Sequence, residues 1–342
     1  MSGLTPSALD LDLEAEAERI AAWMRATLAE PLRRKGFIVA VSGGIDSSVC
    51  AALAVRALGA ARVRVLMLPE RDSSSTSGDL SAELAAHLGV QAERFDLAPT
   101  LRALGCYELR DAAIRRVFPA YGEGWRNKIV LAGGLQGGIN HFRLVVRDGD
   151  GAEHSARLPL AEYLDIVAAT NMKQRSRKLL EYTLADRLNY AVVGTPNRLE
   201  YDQGFFVKNG DGAADLKPIA HLYKTQVYAM ARHLGLPAGI CNAVPTTDTY
   251  SLAQGQDEFY FALPHAQMDL ALWAANHDTG AAELAAALGT DEARARHVLA
   301  DIEAKRRAAR SLHAQGLTIE PVSAPAIAPA ADWTSAEHGR RA

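Results

Sequence analysis

Cysteine is scarce in this chain: three in 342 residues, at positions 50, 106 and 241, with no CxxC pair among them. That leaves no disulfide framework, and in apolar surroundings the three read as buried, reduced thiols, which suits the cytoplasm. A surplus of positive charge is also lacking. Lys and Arg number 37 against 40 Asp and Glu, a formal net charge of −3, so there is no basic footprint for nucleic acid or an anionic membrane. Nowhere do about 18 apolar residues run uninterrupted. The N-terminus has no basic stretch leading into an apolar core, so neither export nor membrane insertion is expected. The ten histidines are scattered without metal-ligand spacing, and no Ser-His-Asp or Cys-His set can be placed. What remains is a globular protein, 49% apolar, whose expected partners are small molecules.

The apolar pattern alternates between helix and strand. Residues 10–30 carry Leu11, Leu13, Ile20, Trp23, Met24 and Leu28 at mostly helical spacing. Short β-rich runs follow at 37–41, 63–68, 92–95 and 190–195, with helices expected at 47–58, 80–88, 174–188 and 225–234. Strand, turn, helix, strand is a βαβ unit, and its repetition predicts a doubly wound, Rossmann-like α/β fold: a parallel sheet with helices on both faces. The expected organisation is an N-terminal helix in 1–36, a core in 37–106 and 161–275, an insertion in 107–160, C-terminal helices in 276–320 and a flexible Ala/Pro-rich tail in 321–342. The insertion contains GGLQGG and two alternating runs around Asp148-Gly149-Asp150-Gly151, which read as a β-hairpin.

Between the first strand and its helix lies Ser42-Gly43-Gly44-Ile45-Asp46-Ser47-Ser48. Glycines let a ligand approach the backbone, and a helix N-terminus offers free N–H groups and positive potential, so the loop reads as a phosphate cradle. It is neither GxxxxGK[ST] nor GxGxxG. The hydroxyls of Ser42, Ser47 and Ser48 would add donors. Asp46 beside a polyphosphate implies a cation between them, hence Mg²⁺. The simpler alternative is a tight turn with Asp46 as helix N-cap.

This loop resembles the pyrophosphate-binding loop of the N-type ATP pyrophosphatases. Four further stretches resemble ammonia-dependent NAD synthetase: NMKQRSR (171–177), VVGTPNRLE (192–200), GFFVKNGDGAADLKPIAHLYKTQV (204–227) and PTTD (245–248). The resemblance covers most of 37–270 outside the insertion. It implies ATP on residues 42–48 with Thr195, Lys224 and Thr246, Mg²⁺ on Asp46 and Glu200, and catalytic roles for Asp46, Lys224 and Thr246. Asn171, Arg175, Lys208, Asp215 and Lys305 would bind the dinucleotide nicotinic acid adenine dinucleotide (deamido-NAD). The implied reaction adenylates the substrate carboxylate, releases pyrophosphate, and replaces AMP with ammonia to give NAD. A homodimer is also implied. Nothing of glutaminase length precedes the loop, so free ammonia or a separate glutaminase is the expected nitrogen source.

The chain departs from the family where a His-Lys pair is usual, which here is Ala304-Lys305, and where Asn209 stands for Tyr. The insertion is a further departure, either a loop expansion or a lid and altered substrate pocket. Two other functions follow from these departures: a related amide ligase or thiolase acting on another substrate, and an idle nucleotide-binding relative. Retention of Asp46, Glu200 and Lys224 argues against the idle relative.

Overall fold

A computed structural model of the chain describes residues 3–132, 141–243, 250–252 and 263–320. Its centre is a four-stranded parallel sheet of β1 (Phe37–Ala40), β2 (Val63–Met67), β3 (Gln91–Arg94) and β7 (Ala191–Val192), in the order β3-β2-β1-β7. Phe37 lies opposite Val63 on one side and Ala191 on the other. Because side chains alternate along a strand, β1 feeds two cores. Phe37 and Val39 pack with α1 (Leu13–Ala29), α2 (Ile45–Leu58) and α8 (Lys224–His233). Ile38 packs on the opposite face with α4 (Ala98–Ala103), α5 (Cys106–Val117) and α6 (Leu160–Leu188). Helices therefore cover both faces, as the alternation of elements predicts.

The chain leaves β1 toward β2 on one side, and β7 later joins β1 on the other. This reversal opens a crevice at the carboxyl ends of β1 and β7, the usual ligand position in such sheets. β7 is shorter than the apolar run suggests: after Val192, pairing reduces to a single bridge between Val193 and Leu216.

Helix α6 is the largest departure from expectation, starting at Leu160 rather than near 174. Part of it packs α5 and the sheet while another face lines the cavity described below, so its apolar residues do not form one stripe. The segment that reads as insertion opens with α5, whose Cys106 and Tyr107 are buried in the core beside α6. Then come three antiparallel strands, β4 (Arg126–Ala132), β5 (His141–Arg147) and β6 (Glu153–Arg157). β5 and β6 form the expected hairpin, its turn held by the Asp148 carboxylate, which accepts from Asp150 N–H at 3.0 Å and Ala152 N–H at 2.9 Å. β4 is a strand the sequence pattern does not announce, and GGLQGG lies outside the described residues.

Among the described residues the remaining α-helices are α3 (Ser75–Leu88), α7 (Arg198–Gln203), α9 (Ala238–Cys241), α10 (His265–Asn276), α11 (Ala281–Leu288) and α12 (Glu292–His313). The last three close a separate apolar cluster over Leu4, Leu9 and Leu199. All three cysteines are free and buried. Among the described residues no helix is long and apolar enough to cross a membrane.

The inserted sheet shares a core with the main fold: Ile129 and Leu144 are fully buried against Ile114 of α5 and Ile166 of α6. Ile129→Ala is expected to lower global stability by about 2–4 kcal/mol. Circular dichroism and tryptophan fluorescence should report one shared, lowered unfolding midpoint; an early separate transition would show that the sheet unfolds alone.

Candidate active site

A cavity of about 1950 Å³ opens at the carboxyl ends of the strands, lined by the loop after β1, by Thr195 after β7, by Glu200 of α7 and by Lys224 of α8. Gly43 has φ +76°, and a Cβ there would sit 2.7 Å from the Ser77 carbonyl oxygen. Only glycine fits this turn without strain. Gly44, not Asp46, is the N-cap of α2, which leaves the first amides of the helix facing the cavity. The Ser47 and Ser48 hydroxyls both donate to the Gly44 carbonyl, at 3.0 and 2.8 Å. Ser48 is fully buried and does not line the cavity. The loop therefore presents backbone N–H groups with Ser42, while Ser48 braces it from behind.

Asp46 leans toward Lys224, whose ammonium is 2% exposed and ion-paired with the Asp46 carboxylate. Burial works against this charge, but Asp46, with Glu200 behind it, outweighs burial and holds the ammonium above its ordinary range. Asn197, fully buried, donates from Nδ2 to Asp46 Oδ1 at 2.9 Å. Its Oδ1 accepts from Glu200 N–H at 3.1 Å, and Glu200 Oε2 accepts from Asn197 N–H at 3.2 Å. One residue thus links the two carboxylates expected on a metal, Asp46 through its side-chain amide and Glu200 through its backbone N–H. The signal for Asn197 was present in the sequence, since Asn-x-x-Glu before a helix is a capping-box pattern.

Asp269 of α10 fixes Lys224 from the opposite side. Its carboxylate, fully buried, accepts from Lys224 N–H at 3.2 Å and Thr225 N–H at 2.7 Å, closing the start of α8. Burial raises its carboxyl to about 6, with the backbone donors pulling the other way. No sequence pattern points to Asp269, because its partners lie 45 and 44 residues away. A second unannounced cluster shapes the cavity wall after β2. Lys173 of α6 pairs with Glu70 at 2.9 Å and Asp72 at 2.6 Å, Arg110 pairs with Asp72, and Tyr107 OH donates to Glu70 at 2.9 Å.

Of the residues expected on the dinucleotide, the structure brings Arg175 and Lys208 together. Asn171 lines the cavity; Arg175, Lys208, Asp215 and Lys305 do not. Arg175 Nε donates to the Lys208 carbonyl at 3.2 Å. Lys208 Nζ donates to the carbonyls of Ser311 at 2.8 Å and Ala314 at 2.7 Å, capping the end of α12. Asp215 accepts from Val192 N–H at 2.7 Å and Tyr182 OH at 3.3 Å, which ties it to the sheet. Lys305 pairs with Asp301 at 2.7 Å along its own helix. Asn209 occupies a left-handed turn, φ +62°. Thr246 lies outside the described residues.

Comparison with known proteins places this geometry. A family model described as NAD synthase matches residues 16–117 and 152–309. The NH(3)-dependent NAD(+) synthetase of Rhizobium meliloti (strain 1021) is 56% identical over 315 residues, covering 92% of this chain and 94% of that protein. The chain belongs to the NAD synthase family. A more distant member, the NH(3)-dependent NAD(+) synthetase of Thermotoga neapolitana, is 38% identical over 241 residues, 70% of this chain and 77% of its own length. Among solved structures, NMN synthetase from Francisella tularensis has a TM-score of 0.62 at 21% identity, covering 90% of this chain and 99% of that one. NH3-dependent NAD synthetase from Campylobacter jejuni has a TM-score of 0.58 at 19% identity, covering 91% and 100%. These two likenesses establish the fold. The NAD synthase match passes over 118–151, the segment that holds β4 and β5.

Replacing Asp269 separates its capping role from its charge. Asp269→Ala leaves two buried N–H groups without their acceptor and should lower unfolding free energy by about 1–3 kcal/mol in urea titration. The raised carboxyl favours the folded state fully below its unfolded value of 3.8, and this contribution is lost as pH rises through about 6. The stability of the wild type relative to Asp269→Asn should therefore fall between these limits and level off above them; a flat difference would contradict the assignment.

Proposed function

We propose that this protein is an ammonia-dependent NAD synthetase: it joins ammonia to the nicotinate carboxyl of deamido-NAD at the expense of ATP, releasing AMP and pyrophosphate. The observation that carries the reading is the convergence of Asp46, Glu200 and the buried Lys224 on the N-terminus of α2, in a cavity above the usual range for one small ligand. The 56% identical relative, named for this activity, supports it.

A carboxylate resists ammonia because its leaving group would be oxide. Adenylation replaces that leaving group with AMP, and the protein's part is to hold the reactants and stabilise developing charge. Amides at the start of α2, with Ser42, bind phosphate oxygens, and Lys224 adds a positive charge. The donor set fits Mg²⁺. The described residues contain no group of three metal-ligating side chains, but two carboxylates suffice for an ion that takes its other ligands from phosphates and water. Asp46 and Glu200 would hold it, and Asn197 fixes their separation. Bound there, Mg²⁺ neutralises phosphate charge. Thr195, and Thr246 by resemblance, complete the ATP site. Catalytic roles for Asp46, Lys224 and Thr246 belong to this reading, as does dinucleotide binding by Asn171, Arg175, Lys208, Asp215 and Lys305. So do a cytoplasmic location, a homodimer, and supply by free ammonia or a separate glutaminase.

The position of Arg175, Lys208, Asp215 and Lys305 outside the cavity lining supports one alternative, the same chemistry on a different carboxylate. Product analysis decides between them. With Mg²⁺, ATP, ammonium and deamido-NAD, the purified protein should form NAD, AMP and pyrophosphate in equal amounts; ATP binding without NAD would favour the alternative. Asp46→Asn should reduce pyrophosphate release at least about a hundredfold. It should also destabilise the fold by about 3–5 kcal/mol, because Lys224 is left buried without its counter-charge. Release near the wild-type rate would remove Asp46 from the mechanism.

A further inference from the structure

The inserted sheet has one face on the core and one turned outward. Ile129 of β4 and Leu144 of β5 lie opposite each other and are fully buried, so the residues that alternate with them point away from α5 and α6. On this outer face Arg126 lies opposite Arg147, Lys128 opposite Val145 and Val130 opposite Arg143. From β5 to β6 the register continues with Arg143 opposite Arg157, Val145 opposite Ser155 and Arg147 opposite Glu153. A patch roughly 10 Å by 14 Å between backbones therefore holds four arginines, a lysine and a single carboxylate, on a chain whose net charge is −3.

Two of these cross-strand pairs, Arg126 with Arg147 and Arg143 with Arg157, set like charges directly opposite each other, which costs stability in the free sheet. The one carboxylate, Glu153, is committed to Arg147 at 2.5 Å. Arg143 donates from Nε to Ser155 Oγ at 2.9 Å. Arg126 and Arg157 are exposed, and among the described residues neither pairs with a carboxylate. A sheet that tolerates this repulsion when free is matched to carboxylates brought by another molecule, which relieve it by pairing with the guanidinium groups in bidentate fashion. None of the outward side chains is aromatic, so the face offers no platform for stacking bases. A long polyanion also meets the negative field of the whole chain, whereas the acidic patch of a folded protein meets this face alone. Arg126, at one corner, lines the active-site cavity as well, so the face adjoins the cavity.

We propose that the outer face of the inserted sheet is a docking surface for a carboxylate-rich protein partner, with Arg126, Arg143 and Arg157 as its anchors. β4 and β5 lie in the part of the chain that the family model passes over, so the surface is additional to the core that the family shares. It does not depend on which carboxylate the enzyme amidates.

The test uses the full chain and, as the acidic probe, a fluorescein-labelled peptide of alternating glutamate and alanine, about twenty residues long, followed by fluorescence anisotropy. Binding to the wild type should saturate and should weaken about tenfold between ~50 and ~200 mM NaCl. Arg143→Glu/Arg157→Glu should weaken it at least about tenfold, whereas Arg102→Glu/Arg187→Glu, the same change of net charge at exposed positions on α4 and α6, should leave it within about twofold. Arg157→Gln should weaken binding about threefold yet leave the thermal midpoint unchanged or up to about 2 °C higher, because it removes a like-charge pair. No binding by the wild type, equal binding by Arg143→Glu/Arg157→Glu, or a lower midpoint in Arg157→Gln, which would make this arginine a structural group, overturns the proposal. Tighter binding of a single-stranded RNA or of phosphatidylserine vesicles than of the peptide, lost on the same charge reversal, overturns it as well by making the face a phosphate site.

Discussion

A buried ammonium held against a carboxylate organises this molecule. Lys224 and Asp46 are 178 residues apart and meet at the starts of two helices. Taking two charges out of water is expensive, and an apolar pair of the same volume is often as stable. The pair is retained here with further polar groups around it: Asn197 on Asp46, the Asn197–Glu200 capping box, and Asp269 closing the start of α8. Each satisfies a group that would otherwise be buried without a partner. Three helix N-termini, those of α2, α7 and α8, are thereby brought to one crevice; α7 and α8 are closed by the capping box and by Asp269, and α2 has no side-chain cap.

The parallel sheet makes this convergence possible. Every strand of a parallel sheet points its carboxyl end the same way, and reversal of strand order between β1 and β7 leaves a gap there. The loop after β1, the turn after β7 and the segment after β2 all reach that gap. Helix α6 spans it. Its Lys173 fixes the segment after β2 through Glu70 and Asp72, and its half-buried and buried residues from Tyr163 to Glu181 line the cavity. The insertion extends the same lining beyond the sheet. It is an addition to the site rather than to the periphery, because its apolar face is shared with α5 and α6.

Much of the architecture was legible in contiguous residues. The strands β1, β2 and β3 lie within a residue of their apolar runs, and the Ser42–Ser48 turn has the glycines its geometry needs. Where reading failed, the cause is identifiable. Helix α6 has contacts on more than one side, so its first turns do not carry a single apolar stripe. β4 depends on pairing with β5 and on hydrogen bonds to Ser251 and Leu252, which lie more than a hundred residues away.

The sequence by itself determined the local pattern of the site: a Gly-Gly turn at a helix start with an aspartate just after it, a second carboxylate after a later strand and a lysine at a helix start. These are local patterns, set by backbone conformation and helix-end potential, and they survive without knowledge of the fold. Tertiary structure alone decided which groups meet. Asp269 beneath Lys224, Lys173 between Glu70 and Asp72, and Phe142 stacked on Tyr163 join elements distant in the chain. Such contacts depend on strand order, helix crossing and shared burial, and no short stretch of sequence carries that information.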